Sequence, residues 1–137
     1  MQQSALEEML DPSMPDKDET IEVIELARNI VDLIADKKGE NITLIDLQGR
    51  TIIADYFIIC SGASERQLKA IVREITNEVK KEYGLSPRSV EGEAETGWVL
   101  IDYNDIVIHA FSPQVRDYYQ LEDFWLEHEA QVLLKIQ

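Results

Sequence analysis

The stretch Gly-Trp-Val-Leu-Ile-Asp-Tyr-Asn-Asp-Ile-Val-Ile-His-Ala-Phe, residues 97–111, constrains this chain most. Two runs of strand-forming residues flank Asn104-Asp105, and both turn residues tolerate positive φ better than most. The spacing predicts a tight hairpin with strands Trp98–Tyr103 and Ile106–Phe111. Side chains alternate along a strand, so Trp98 and Leu100 point one way and Val99, Ile101 and Tyr103 the other. A strand with one wet face alternates apolar with polar. This one is apolar on both. Either helices cover both faces of its sheet, or one face is kept for another protein.

The rest of the chain supplies a sheet for that hairpin. Ile24, Ala27, Val31 and Ile34, flanked by Val23 and Ile30, predict an amphipathic helix over 20–38, with Thr20 as N-cap and Gly39 as its end. Ile42–Leu47 and the nearly all-apolar Tyr56–Cys60 read as strands. Ser64 and Gln67 form a capping box that starts a second helix, whose apolar face is Leu68, Ile71, Val72, Ile75 and Val79 and whose end is Gly84. Residues 88–91 read as a short strand. Ser112-Pro113 starts a further helix, and a last helix is expected over about 121–135 with Leu121, Phe124, Trp125, Val132 and Leu133. The expected fold is α/β (α+β): one mixed sheet of about five strands with helices packed on it. Residues 1–19 read as an acidic disordered tail, 20–125 as the folded domain and 126–137 as a C-terminal helical extension.

Composition narrows the function. A formal charge of −14 is the reverse of what a phosphate backbone recruits, so bare nucleic acid and anionic membranes are poor partners and a basic protein is a good one. No apolar run reaches the ~18 residues of a membrane span, and the N-terminus has neither the basic nor the apolar region of a signal peptide. A single cysteine forbids an internal disulfide and a multi-cysteine metal site. A cytoplasmic protein fits these features.

The catalytic case is poor. The element order and a Ser61-Gly62 exit loop are similar to nucleotidyltransferases, which hold metal ions with two carboxylates one residue apart on one strand face. Here the residue at that spacing from Asp102 is Asn104, and Asp105 has the wrong parity. Cys60 with His109 is a conceivable thiol–imidazole pair, but Cys60 ends an apolar strand and reads as core. His109 and His128 make no recognisable metal site. No cofactor is expected. The binding case is better, because Trp98, Asp102, Tyr103, His109, Phe111, Arg116, Tyr118 and Tyr119 concentrate aromatic and polar-tipped side chains in one region. Of the adjacent Tyr118 and Tyr119, one is expected to be buried and the other free.

Residues 98–122, Trp-Val-Leu-Ile-Asp-Tyr-x-Asp-Ile-Val-Ile-His-Ala-Phe-Ser-Pro-x-Val-Arg-x-Tyr-Tyr-x-Leu-Glu, resemble the ribosomal silencing factor family, also called Iojap-like or RsfS. Three upstream segments agree in order: Ala54-Asp55-Tyr56-Phe57 leading to Ser61-Gly62, then Ser64–Ala70, then Val90-Glu91-Gly92. Ala54 departs from the pattern, where Thr is common. The resemblance implies a nucleotidyltransferase-like sheet without the catalytic carboxylates. It further implies a protein that binds the large ribosomal subunit through ribosomal protein fourteen of that subunit, blocks joining of the small subunit and represses translation in the bacterial cytoplasm; a homodimer is left open. Carried onto this chain, the partner-binding residues are Trp98, Leu100, Asp102, Tyr103, Asp105, His109, Phe111, Tyr118 and Glu122. Asp102, Asp105 and Glu122 would meet basic groups, and Trp98, Leu100 and Tyr103 would supply apolar area, although Leu100 and Tyr103 cannot share one flat face. The alternatives are a nucleotidyltransferase-like enzyme and an adaptor for some other basic protein.

Overall fold

A computed structural model of the chain describes residues 17–137, with side chains from Val23 onward. Residues 1–16 of the expected tail lie outside the described residues. Helix α1 spans Lys17–Asp36, so Thr20 falls inside the helix and is not its cap. Strand β1 (Glu40–Asp46) and strand β2 (Tyr56–Ser61) follow, then α2 (Glu65–Tyr83), β3 (Ser89–Glu91) and the hairpin strands β4 (Trp98–Asp102) and β5 (Ile106–Phe111). The chain closes with α3 (Pro113–Tyr119), α4 (Leu121–Glu127) and β6 (Gln131–Ile136).

One mixed sheet runs in the order β3-β4-β5-β2-β1-β6. Among the described residues only β2 and β5 pair in parallel; every other pair is antiparallel. The hairpin turn forms at the expected place, with Asn104 at φ 79°. Two apolar layers flank the sheet. Leu26, Ile30 and Ile34 of α1 and Leu68, Ile71 and Ile75 of α2 pack on Leu44, Ile58, Ile101 and Ile108. On the opposite face Ile45, Phe57, Ile59, Val107 and Phe111 are covered by Val115, Leu121 and Trp125 of the short helices. That second cover is narrower, and it leaves the β3–β4 side of the face open.

Local chemistry explains the joints. The Ser64 hydroxyl accepts from the Gln67 amide at 3.1 Å, and the Gln67 side chain accepts from Ala63 N–H at 2.6 Å. The Gln67 amide group also donates to the carbonyls of Lys37 and Lys38, so the cap of α2 ties down the end of α1. Gly84 ends α2 in the left-handed region as expected.

The C-terminus departs from expectation. The helix foreseen over 121–135 stops at Glu127, and Glu129 turns the chain at φ 67°. Residues 131–136 then pair antiparallel with β1, which makes six strands and replaces the helical extension expected over 126–137. Short runs such as Gln-Val-Leu-Leu-Lys-Ile fit either period. The open backbone edge of β1, which needs hydrogen-bond partners, decides for the strand.

Candidate functional site

The hairpin's two faces have different fates. Val99 and Ile101 point to α1 and α2 and are buried. Trp98 and Leu100 point to the second face, beyond the reach of α4, and stay half-exposed. With Glu91, Gly92 and Thr96 from the β3 side and Gln114, Val115, Tyr118 and Tyr119 from α3, they line an open groove of about 550 Å³.

Gly97 makes this groove possible. It sits at φ 84°, and a Cβ there would lie 2.6 Å from Ser112 Oγ and 2.7 Å from a Val115 methyl. A side chain would push α3 away from Trp98. The indole is fixed from below: its Nε1–H donates to His109 Nδ1 at 3.2 Å, and its ring lies 4.9 Å from Phe111 and 4.8 Å from Tyr119 between centroids. Tyr118 stands 5.0 Å from Tyr119, edge to face. Tyr118 is 80% and Tyr119 53% exposed, so both tyrosines are free, against the expectation that one would be buried. The helix is only two turns long and lies at the sheet's margin, where neither side has a second layer to bury it. Glu93 and Glu95 lie outside this groove, beside Lys69 and Val99 on the α2 side, where a hydrogen bond from Glu93 and its charge raise the Glu95 carboxyl above its ordinary value. The site is therefore an aromatic trough with one carboxylate, Glu91, in its lining.

Of the residues expected at a partner surface, Trp98, Leu100 and Tyr118 meet in this groove. Phe111 and His109 form its floor and are buried, so they support the surface and do not reach it. Tyr103 belongs to the helix-covered side, where burial raises its phenol to about 12. Asp102 is buried, and its carboxylate accepts from Arg88 at 2.7 Å and from Asn104 N–H at 2.7 Å, so it closes the hairpin turn and is not free to meet a partner cation. Asp105 is exposed, but at the far end of the strands from Trp98. Glu122 accepts two bonds from Arg116, both at 2.7 Å, and holds α4 to α3. Val115 and Gln114 also line the groove without having been expected there, and Tyr119, named in the aromatic region but not among the partner-binding residues, joins them. Gln114 and Tyr118, and Val115 and Tyr119, are i, i+4 pairs on α3, a spacing that was readable once the helix start at Ser112-Pro113 was known.

The imagined thiol–imidazole pair does not form. Cys60 faces the long helices, where burial pushes its thiol up to about 12, and His109 faces the other side of the sheet. Burial lowers His109 to about 4 from its usual 6.5. It stands neutral, with Nδ1 accepting the indole proton. A buried histidine that folding keeps neutral stabilises fully above pH 6.5, and that share is lost as pH falls from 6.5 toward 4. The amount is on the order of 3 kcal/mol. Urea unfolding at pH 7.5, 6 and 5 is expected to show a steeper loss for the wild type than for His109→Gln. Parallel slopes would show that His109 does not titrate in this range.

Comparisons with known proteins converge on one group. Residues 20–137 match the family described as ribosomal silencing factor during starvation. The chain is 42% identical over 104 residues to the ribosomal silencing factor of Halalkalibacterium halodurans, covering 76% of this chain and 86% of that one. It is 43% identical over 90 residues to the Bacillus subtilis protein of the same name, covering 66% and 75%. Among solved structures, one of a Chromobacterium violaceum protein superposes with a TM-score of 0.71 at 33% identity, covering 75% of this chain and 85% of that one. One from Bacillus halodurans gives 0.64 at 39% identity, covering 74% and 93%.

Proposed function

The chain belongs to the ribosomal silencing factor family, and from that premise we propose that it binds the large ribosomal subunit and blocks subunit joining. The partner on that subunit is ribosomal protein fourteen, and the small subunit is kept off by the bulk of the bound protein, which lowers translation in the bacterial cytoplasm. The observation that carries this reading is the groove. A half-exposed Trp98, flanked by Leu100 and two exposed tyrosines, is a surface that is dry when bound and wet when free. Tryptophan and tyrosine concentrate binding energy at such surfaces. The charge of −14 suits a basic ribosomal protein, since complementary charge steers encounter.

The action is occlusion, so no bond is made or broken. Of the two carboxylates weighed for a nucleotidyltransferase, Asp102 is held by Arg88 and Asp105 lies beyond the strand, past Asn104 in the turn. A homodimer of the free chain that covered the same aromatic patch would compete with the subunit.

Co-sedimentation with separated subunits at two salt concentrations tests the proposal. The expected result is binding to the large subunit alone, weaker at higher salt, with reduced formation of joined ribosomes by light scattering. Binding to neither subunit would remove the ribosome from the account.

A further inference from the structure

The loop between β1 and β2, residues 47–55, is built to show apolar side chains to the outside. Ile52 is 104% exposed and Ile53 64%. Their neighbours do the opposite: Leu47 and Ala54 are buried in the second layer. The loop is also tied down. Leu47 N–H donates to Asp55 O at 2.8 Å, Arg50 N–H to Leu47 O at 2.9 Å and Asp55 N–H to Asp105 O at 2.9 Å. Arg50 Nε donates to Glu129 O at 3.2 Å, and Ile53 N–H to Thr51 Oγ1 at 3.1 Å. Two branched apolar side chains are therefore held away from the core by a bonded loop.

The electrostatic setting identifies the kind of surface that would cover them. Asp46, Asp55 and Asp105 cluster at this end of the sheet, and none is among the ion pairs formed within the described residues. Burial first, then repulsion from Asp105 and Asp46, raises the Asp55 carboxyl above its ordinary value. Lysine or arginine brought by a partner would relieve that repulsion, while an apolar patch between them would receive the isoleucines.

We propose that Ile52 and Ile53, flanked by Asp46, Asp55 and Asp105, form a second contact with a basic protein surface of the large ribosomal subunit. This rests on the function proposed above and extends its footprint. The loop lies at the start of β5, where Tyr56 pairs with Ile106, and Trp98 lies at its end, opposite Phe111. Six residues of strand separate them, about 17 Å. A standard interface buries about 800 Å² per partner, roughly 30 Å across, so both contacts fit within one footprint.

The double substitution Ile52→Ser/Ile53→Ser tests this against purified large subunits. Both side chains are exposed, so the thermal transition should stay where it is. The expected result is at least tenfold weaker binding. Asp55→Asn/Asp105→Asn should weaken binding more at low salt than at high salt. Unchanged affinity in both variants, with Trp98→Ala still impaired, would overturn the loop contact and leave the groove reading intact. A change in the self-association of the free chain, without a change in subunit affinity, would overturn it in favour of a second copy. No binding by the wild type would overturn both readings.

Discussion

Arg116→Ala is expected to destabilise the protein by about 3 kcal/mol, at the low end for breaking a buried ion pair. The side chain is 11% exposed and its guanidinium joins four elements. It donates to both oxygens of Glu122 on α4, to Ser61 Oγ of β2 at 2.9 Å and to Thr43 Oγ1 of β1 at 3.4 Å. Truncation leaves the Glu122 carboxylate without its cation and the hydroxyls of the buried Ser61 and Thr43 without a donor. The low end applies because Glu122 stays 23% exposed and keeps some water. For a domain of this size the melting temperature should fall by about 10 °C. Calorimetry of Arg116→Ala beside Arg116→Leu/Glu122→Leu would check the mechanism. The double variant removes both charges and should recover part of the loss. A single-variant effect below about 1 kcal/mol would mean that α3 and α4 are held by apolar packing alone.

Trp98→Ala should weaken binding to the large subunit by about a hundredfold, roughly 3 kcal/mol, the size of a central aromatic anchor. The indole contacts His109, Phe111 and Tyr119, so its loss should also cost about 2 kcal/mol of stability while unfolding stays cooperative. Tyr118→Ala separates the two effects. Tyr118 is 80% exposed, so its removal should reduce binding with little change in stability. Isothermal titration of both variants against purified large subunits, with melting curves alongside, gives the comparison. Wild-type affinity in both would exclude the groove from the interface.

The resemblance drawn from the sequence holds, and so does most of the helix and strand order. What misled was the role of polar side chains. Asp102 and Glu122 read as charges for a partner because acidic residues near aromatics look exposed in one dimension. Their cations, Arg88 and Arg116, lie fourteen and six residues away, and only folding brings them together. Nothing local to residues 47–55 shows that the loop turns Ile52 and Ile53 outward.

Local periodicity and cap chemistry settled the elements. The Ser64 and Gln67 box, the Ser112-Pro113 start and the Asn104 turn act over a few residues, so they are written in the sequence and were found where expected. The doubly apolar β4 left two outcomes open, helices on both faces or one face kept for another protein; the long helices cover one face and the short helices cover the other only in part. The tertiary structure decided the rest. It turned residues 131–136 from helix to strand, because an open sheet edge outweighs a weak local preference. It sent His109 and Phe111 beneath Trp98, and left Trp98, Tyr118 and Tyr119 at the surface, because two short helices cannot cover the face that two long ones cover on the other side. Burial depends on what arrives from distant parts of the chain, and a sequence window contains only its own neighbours.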